Sequence, residues 1–421
     1  MITSDPRGTR LLNWKSNGND LVIGEKTVAA LARRFGTPLY LYDSNIILDR
    51  IKRIQIGFPG FRLLYSIKSN PNIAIASLMA KSGLGAEIAS EGELKVAKRA
   101  GFSAQEIAVA GPGKRQEDLK AYINAGVGMV HLESQRELEL INGIAEKSKT
   151  NLPIVVRVNA AYALQDVHER MGGVSSQFGI PEEDVVNIMI SNRSKYIDYI
   201  GFHSYGGSQV LNQSVLLQHF KYVANMSKRI AAEVDFDLQL INFGGGFGIP
   251  YHTGQQPIDI KILGKEIVAA LGEIFPSGTN KPTFYIELGR YLVAESTLFV
   301  VEILDVKACR GTTFVITDGG INNFARPAMP WATQHSCVLV SKLSNSPTGK
   351  YKVVGPLCQP SDVLCERVEL ADPQPGDFLA IFNAGAYGYT LSPQLYHSKP
   401  TPREVLYQDG DFHIIRERLE P

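Results

Sequence analysis

Eight short β-rich runs separated by helix-patterned stretches recur between residues 61 and 289, and this alternation constrains the fold more than any other feature of the chain. The runs are FRLLYSIKS (61–69), GAEIAS (85–90), IAVAG (107–111), MVHLES (129–134), PIVVRVN (153–159), YIGFHSY (199–205), LQLINFGGG (238–246) and TFYIELG (283–289). Between them lie amphipathic stretches such as SEGELKVAKRAG and QRELELINGIAEKS, where Leu138, Leu140, Ile141 and Ile144 outline an apolar face. Eight such units in about 230 residues match a (β/α)8 barrel in count and size. A doubly wound open sheet is the rival, but it rarely holds eight consecutive parallel strands without an antiparallel edge. After residue 290 the runs LFVVEILDVKAC, TFVITDGG, YKVVG, DFLAIFNAGAYG and EVLYQDGDFHIIRE are β-rich, and Asp409-Gly410 in the last is a hairpin cue. The pattern therefore predicts an α/β chain: a barrel over 38–292, a mostly antiparallel β domain over 293–421, and an N-terminal segment, 1–37, packing with the β domain.

Charge and cysteine usage narrow the partners. Lys+Arg number 43 against 42 Asp+Glu, a net charge of +1, so no nucleic-acid footprint or polybasic membrane patch is expected. A nearly neutral protein gains little from self-repulsion, and a defined oligomer is the natural expectation. Cys309, Cys337, Cys358 and Cys365 form no CxxC pair and share no metal-ligand spacing with the eight histidines, so no metal is expected. The first residues lack an apolar signal core and no apolar run reaches spanning length, which makes a cytoplasmic location the default.

In barrels of this class, chemistry sits at the carboxyl ends of the strands. Unusual polar residues fall there: Lys68, Glu87 with Ser90, Arg157 with Asn159, His203 with Tyr205, the glycines Gly244, Gly245 and Gly246, and Glu287 with Gly289 and Arg290. Lys68 in YSIKSNPN reads either as a lysine snorkelling at the rim or as a desolvated, nucleophilic amine that forms a Schiff base. Three glycines in INFGGGFGIPY let backbone N–H groups approach an anion, although a tight packing turn uses the same residues. The loops after strands seven and eight are the usual phosphate site, and Arg290 and Ser208 can add donors there. Glu287 pairs with a base such as Arg290, or it bonds a protonated pyridine nitrogen and keeps an electron-accepting ring cationic. His131, His168, His219, His252, His335, His397 and His413 are scattered and read as structural or surface residues, while His203 points from a rim strand. Trp331 reads equally as lining a mouth or as packing.

YSIKSNPN, GAEIASEGEL, SQFGIP, GFHSYGGSQ, INFGGGFGIPY, IELGRYLV, GPLCQPSDVL and NAGAYGYTLS resemble, in order and from about residue 35 to 408, the motif set of the fold-type III decarboxylases that use pyridoxal 5′-phosphate (PLP). That group includes diaminopimelate and ornithine decarboxylases. The resemblance implies a barrel of alanine-racemase type with a β domain, a head-to-tail homodimer with shared active sites, and PLP as cofactor. It makes Lys68 the Schiff-base lysine, Glu87 an acid near it, and Arg157 a residue beneath the ring. Ser208, Gly244 to Gly246 and Arg290 would hold phosphate, and Glu287 would meet the pyridine nitrogen. Cys358 would reach in from the other subunit as proton donor to Cα, with Tyr387 near the cofactor.

The sequence also departs from that set. A ring-stacking histidine is replaced by Tyr205, which can stack but cannot carry imidazole's charge. KFGI reads QFGI with Gln177, and the acid after Cys358 is Gln359. ARPAMPW keeps Arg326 but loses the family tyrosine. Arg290, Arg326, Gln359 and Tyr387 are thus the candidate substrate contacts. A neutral Gln359 would not repay desolvation of a distal ammonium, which speaks against diaminopimelate, ornithine and lysine. Tyr205, QFGI, AGPGKR and ERMGGVSSQFG resemble a specialised branch of antibiotic or siderophore assembly, one type of which decarboxylates a glutamyl group on an acyl carrier protein, as in butirosin biosynthesis. The alternatives are a diaminopimelate decarboxylase, a racemase (which Glu287 argues against) and a non-catalytic regulatory homologue.

Overall fold

Each β-rich run of the central segment forms a strand, and each strand pairs in parallel with its neighbour. In this computed structural model, residues 13–164, 169–251, 254–276, 280–326 and 335–420 are described, the side chains of 169 and 170 excepted; Trp331, His168 and His252 lie outside the described residues. The strands are Arg62–Ser66, Gly85–Ile88, Ile107–Val109, Met129–Leu132, Leu152–Asn159, Ile197–His203, Leu240–Asn242 and Thr283–Leu288. Pairing follows chain order, and Thr283–Leu288 returns to Arg62–Ser66, so the sheet closes without an edge. This is the expected eight-stranded parallel barrel. Its helices begin where the sequence supplies caps. Ser90 Oγ accepts from the Glu93 N–H at 3.1 Å while Glu93 reaches back to the Ala89 N–H at 2.7 Å. Ser134 and Glu137 make the same reciprocal cap on Gln135–Ser148, which buries Leu138, Ile141 and Ile144.

Two details position the site. The first strand stops at Ser66, and Ile67–Ser69 is a 3-10 turn, so Lys68 sits on a turn at the strand end, where the β-rich run predicts strand. Gly289 permits this turn, since a Cβ there would come within 2.9 Å of the Ser69 Cβ. The second detail is a bulge. Tyr199 pairs with Ile154 and Gly201 with Val155, so Ile200 is an extra residue in its strand. The extra residue switches which side chains face inward beyond it.

Inside the barrel, Leu64, Ala108, Met129, Val155, Ile200 and Leu240 form an apolar cluster with Tyr285 packed against it. Two residues further along their strands stand His131, Arg157, Asn242 and Glu287, and the bulge brings His203 into the same register. The barrel floor is therefore apolar and the layer above it polar.

The chain divides into two compact units. The barrel unit is Ile51–Gly248 with Pro257–Gly289; the other holds the described residues of Met1–Arg50, Ile249–Gln256 and Arg290–Pro421. In the second unit a mixed, mostly antiparallel sheet runs in the order Val363–Leu370, Gly349–Val354, Thr312–Thr317, Thr297–Cys309, Leu39–Asp43, Arg403–Gln408 and Asp411–Arg416. Strand Leu39–Asp43, which the sequence pattern assigns to the barrel, lies instead in this sheet between Thr297–Cys309 and Arg403–Gln408. Its four leading residues are buried, as in a strand covered on both faces. Trp14, Leu21, Ile23, Val28 and Leu31 share a core with Leu298, Val300, Phe378 and Val405. The hairpin at Asp409-Gly410 turns with both residues at positive φ, 53° and 91°. Among the described residues no helix is long and apolar enough to cross a membrane.

Candidate active site

The polar layer of the barrel is held by charges that satisfy one another out of water. Lys68 Nζ contacts Glu87 Oε2; the lysine side chain is 45% exposed and the carboxylate 2%. A buried acid thus anchors an amine at the end of the first strand that is itself partly exposed. Glu133 accepts from Arg157 Nη1 at 2.7 Å, from the Gly111 N–H at 2.7 Å and from the Gly179 N–H at 3.2 Å, and the Arg157 guanidinium lies 4.8 Å from the Phe178 ring centre. Glu137 accepts from Lys114 Nζ at 2.8 Å and from the Glu133 N–H at 2.7 Å, while Lys114 also donates to the carbonyls of Gly111 and His131. Sequence reasoning misses Glu133, Glu137 and Lys114. The available signal is the period-two spacing of His131, on strand Met129–Leu132, and Glu133, directly after its end.

His131 and His203 stack with ring centres 4.4 Å apart and planes 18° from parallel. Burial holds both imidazoles well below the usual histidine range, with His203 and Arg157 respectively adding charge repulsion. Both are therefore neutral. His203 makes no hydrogen bond at either ring nitrogen among the described residues. His131, which the sequence presents as structural or superficial, lies in this layer, 3.9 Å from Glu287 Oε1, with His203 Nε2 3.6 Å from Oε2. Glu287 Oε1 accepts from Asn242 Nδ2 at 2.8 Å. The donor atoms of His131, His203 and Glu287 lie within 4.8 Å of one another, a spacing that a cation could use. Stacked rings aim their lone pairs side by side, however, and metal-binding rings aim them at one point.

The glycine turn follows Asn242. Gly244 has φ +63°, and a Cβ there would come within 2.9 Å of the Tyr205 ring; a Cβ on Gly245 would meet the Glu287 carbonyl at 2.1 Å, and one on Gly246 the Gly207 carbonyl at 2.4 Å. The backbone is thus pressed against strand eight on one side and the Tyr205–Ser208 segment on the other, with no room for side chains. Ser208 lies in the short strand Gly207–Ser208. An amine with a buried counter-ion, a glycine turn whose N–H groups carry no side chains over them, a buried carboxylate and a histidine whose ring nitrogens make no hydrogen bond among the described residues all fit PLP.

The remaining candidates belong to the second unit. Arg290 Nη1 donates to the Tyr251 hydroxyl at 2.8 Å, and its guanidinium lies 5.0 Å from the Tyr387 ring centre. Arg326 is buried, bonds His335 at 2.9 Å and packs 4.0 Å from the Tyr251 ring centre. Tyr387 has φ +55°, an unusual backbone state for an aromatic residue that often marks a functional position. Cys358 is exposed, and the half-buried Gln359 donates from Nε2 to Ser361 Oγ at 3.2 Å.

Comparison with known proteins agrees with this chemistry. Residues 45–294 match the family described as pyridoxal-dependent decarboxylase, pyridoxal binding domain. The chain is 33% identical over 404 residues to the L-glutamyl-[BtrI acyl-carrier protein] decarboxylase of Niallia circulans, covering 94% of each protein. It is 30% identical over 404 residues to the diaminopimelate decarboxylase of Methanothermobacter thermautotrophicus, covering 94% of this chain and 93% of that one. The crystal structure of diaminopimelate decarboxylase from M. jannaschi superposes with a TM-score of 0.88 at 28% identity, covering 96% of this chain and 95% of that one.

Proposed function

The chain belongs to the pyridoxal-dependent decarboxylases, and from that premise we propose that it removes the α-carboxyl group of an amino-acyl unit, a glutamyl group, carried on an acyl carrier protein. It is a PLP-dependent amino-acid decarboxylase. The observation that carries the finer reading is Gln359. Where the motif pattern that the sequence resembles implies an acid, this chain has a neutral amide already engaged with Ser361. A distal ammonium brought there would lose hydration without gaining a counter-charge. A distal acyl group linked to a carrier needs no such partner. The 33% identity across 94% of the carrier-dependent relative supports the same substrate class and a biosynthetic setting such as antibiotic or siderophore assembly.

PLP, when bound, supplies an electron-withdrawing ring that accepts the electron pair left at Cα as the carboxyl group departs as CO₂. Lys68 would hold it through Nζ, with Glu87 keeping that amine oriented and taking up its proton. Glu287 would hold a proton at the pyridine nitrogen, aimed by Asn242. The N–H groups of Gly244 to Gly246, with Ser208, would bind the phosphate. Arg157, fixed by Glu133, would support the ring from below. The Cys358 thiol of a second copy would deliver a proton to Cα.

A CO₂-release screen tests the proposal. Carrier-linked glutamate should be turned over at least ~10²-fold faster than free diaminopimelate, ornithine, lysine or glutamate, and Lys68→Ala should lose both turnover and the visible absorbance of bound cofactor. The 30% identity to a diaminopimelate decarboxylase favours a second reading, lysine formation, and robust release from free diaminopimelate would replace the first reading with it.

A further inference from the structure

Asn242 sits where the seventh strand ends and the glycine turn begins, and it touches both parts of the proposed cofactor grip. The Gly244 N–H donates to Asn242 Oδ1 at 2.9 Å. The Gly244 carbonyl in turn accepts from the Glu287 N–H at 2.8 Å. Glu287 Oε1 closes the circuit by accepting from Asn242 Nδ2 at 2.8 Å. Three hydrogen bonds thus tie the turn, the carboxylate and its backbone into one ring, across 45 residues of sequence. All three members are buried, so these bonds form where water cannot replace them.

The chemistry of the partners fixes the orientation of the amide. A backbone N–H only donates, so the atom facing Gly244 is the amide oxygen. The NH₂ group must then face Glu287, where an ionised carboxylate only accepts. Its second hydrogen points toward His131 Nε2, 3.4 Å away. Because His131 is neutral, that nitrogen can offer a lone pair, which places the ring's proton on Nδ1, 3.9 Å from the same Glu287 oxygen. Asn242 Nδ2 thus donates to Oε1, while Oε2 takes no hydrogen bond among the described residues, with His203 Nε2 3.6 Å away, and is left for a ring nitrogen of the cofactor.

We infer that Asn242 is a positioning residue that locks the Glu287 carboxylate to the turn at Gly244, so that ring-nitrogen binding and phosphate binding are set as one rigid unit. The inference rests on the proposed roles of Glu287 and the glycine turn. Asn242→Asp keeps the shape but puts two carboxylates at hydrogen-bond distance. Glu287→Gln combined with Asn242→Asp exchanges donor and acceptor: the amide introduced at position 287 can donate to the carboxylate introduced at position 242, which still accepts from Gly244.

The test is the dissociation constant of PLP for folded apoprotein, folding being verified by circular dichroism. Asn242→Asp should weaken binding by about 10-fold or more, as expected for loss of a hydrogen bond to a charged group plus like-charge repulsion. The exchanged pair should bind PLP at least as well as Glu287→Gln alone, a recovery that a merely space-filling Asn242 would not give. Losses that simply multiply in the double variant, or an Asn242→Asp constant within about twofold of wild type, would overturn the inference. Should Asn242→Asp not fold, Asn242→Ala serves: its loss should shrink in the Glu287→Gln background, and an equal loss in both backgrounds would overturn the inference. The pH dependence of the visible band separates the two readings. If Glu287→Gln leaves it unchanged, the ring-nitrogen role of Glu287 fails; if Glu287→Gln shifts it but the effects multiply, the role of Asn242 alone fails.

Discussion

Buried imidazoles make the fold sensitive to acid. His131, His203, His219 and His335 all have their protonation pushed down by desolvation, from a usual value of 6.5. The unfolded chain takes up protons on these rings as pH falls below about 6.5, and the native rings refuse them. Stability is therefore full above that pH and declines below it, by at most about 1.4 kcal/mol per pH unit for each such ring. Equilibrium denaturation of the apoprotein should show this decline between roughly pH 7 and pH 5, and His131→Gln should flatten it; a stability independent of pH over that window would mean the native rings take up protons as readily as those of the unfolded chain. Lys68 and Glu287 were legible as chemistry-bearing residues because a charge in an apolar run needs a reason. His131 and Asn242 were not. Neither carries a charge, and their importance lies in partners 111 and 45 residues away along the chain.

At the scale of elements, the glycine turn shows what close approach costs. A Cβ on Gly245 would sit 2.1 Å from a carbonyl oxygen of a strand paired on both sides, which cannot yield without disturbing the barrel. Gly245→Ala should therefore lower stability by about 1–3 kcal/mol in urea denaturation and weaken PLP binding in parallel. A variant with unchanged stability and PLP affinity would show the turn to be looser than its packing implies. The hairpin at Asp409-Gly410, the amphipathic helices after the second and fourth strands and all eight barrel strands were readable, because turn chemistry and periodicity act within a few residues. Strand Leu39–Asp43 was not, since an apolar run does not reveal which sheet will take it, and its partners lie more than 250 residues away. The bulge at Ile200 escaped for the same reason: it exists only relative to the neighbouring strand.

For the whole molecule, the family resemblance implies a homodimer with shared active sites, and this can be tested by complementation. If Cys358 acts in the site of a second copy, mixing inactive Lys68→Ala with inactive Cys358→Ala should restore about a quarter of wild-type activity. In a random mixture half of the dimers are mixed, and each mixed dimer holds one intact site. No recovery after subunit exchange, with mixed dimers demonstrated, would place Cys358 outside the shared site. By itself the chain's order of residues determined the element types, the barrel class and most of the charged rim, because hydrophobic period, turn chemistry and the cost of burying charge are local properties. Tertiary structure alone decided that His131, His203, Asn242 and Glu287 meet in one layer. That meeting depends on strand register around a closed barrel, and register is settled only when the last strand pairs with the first.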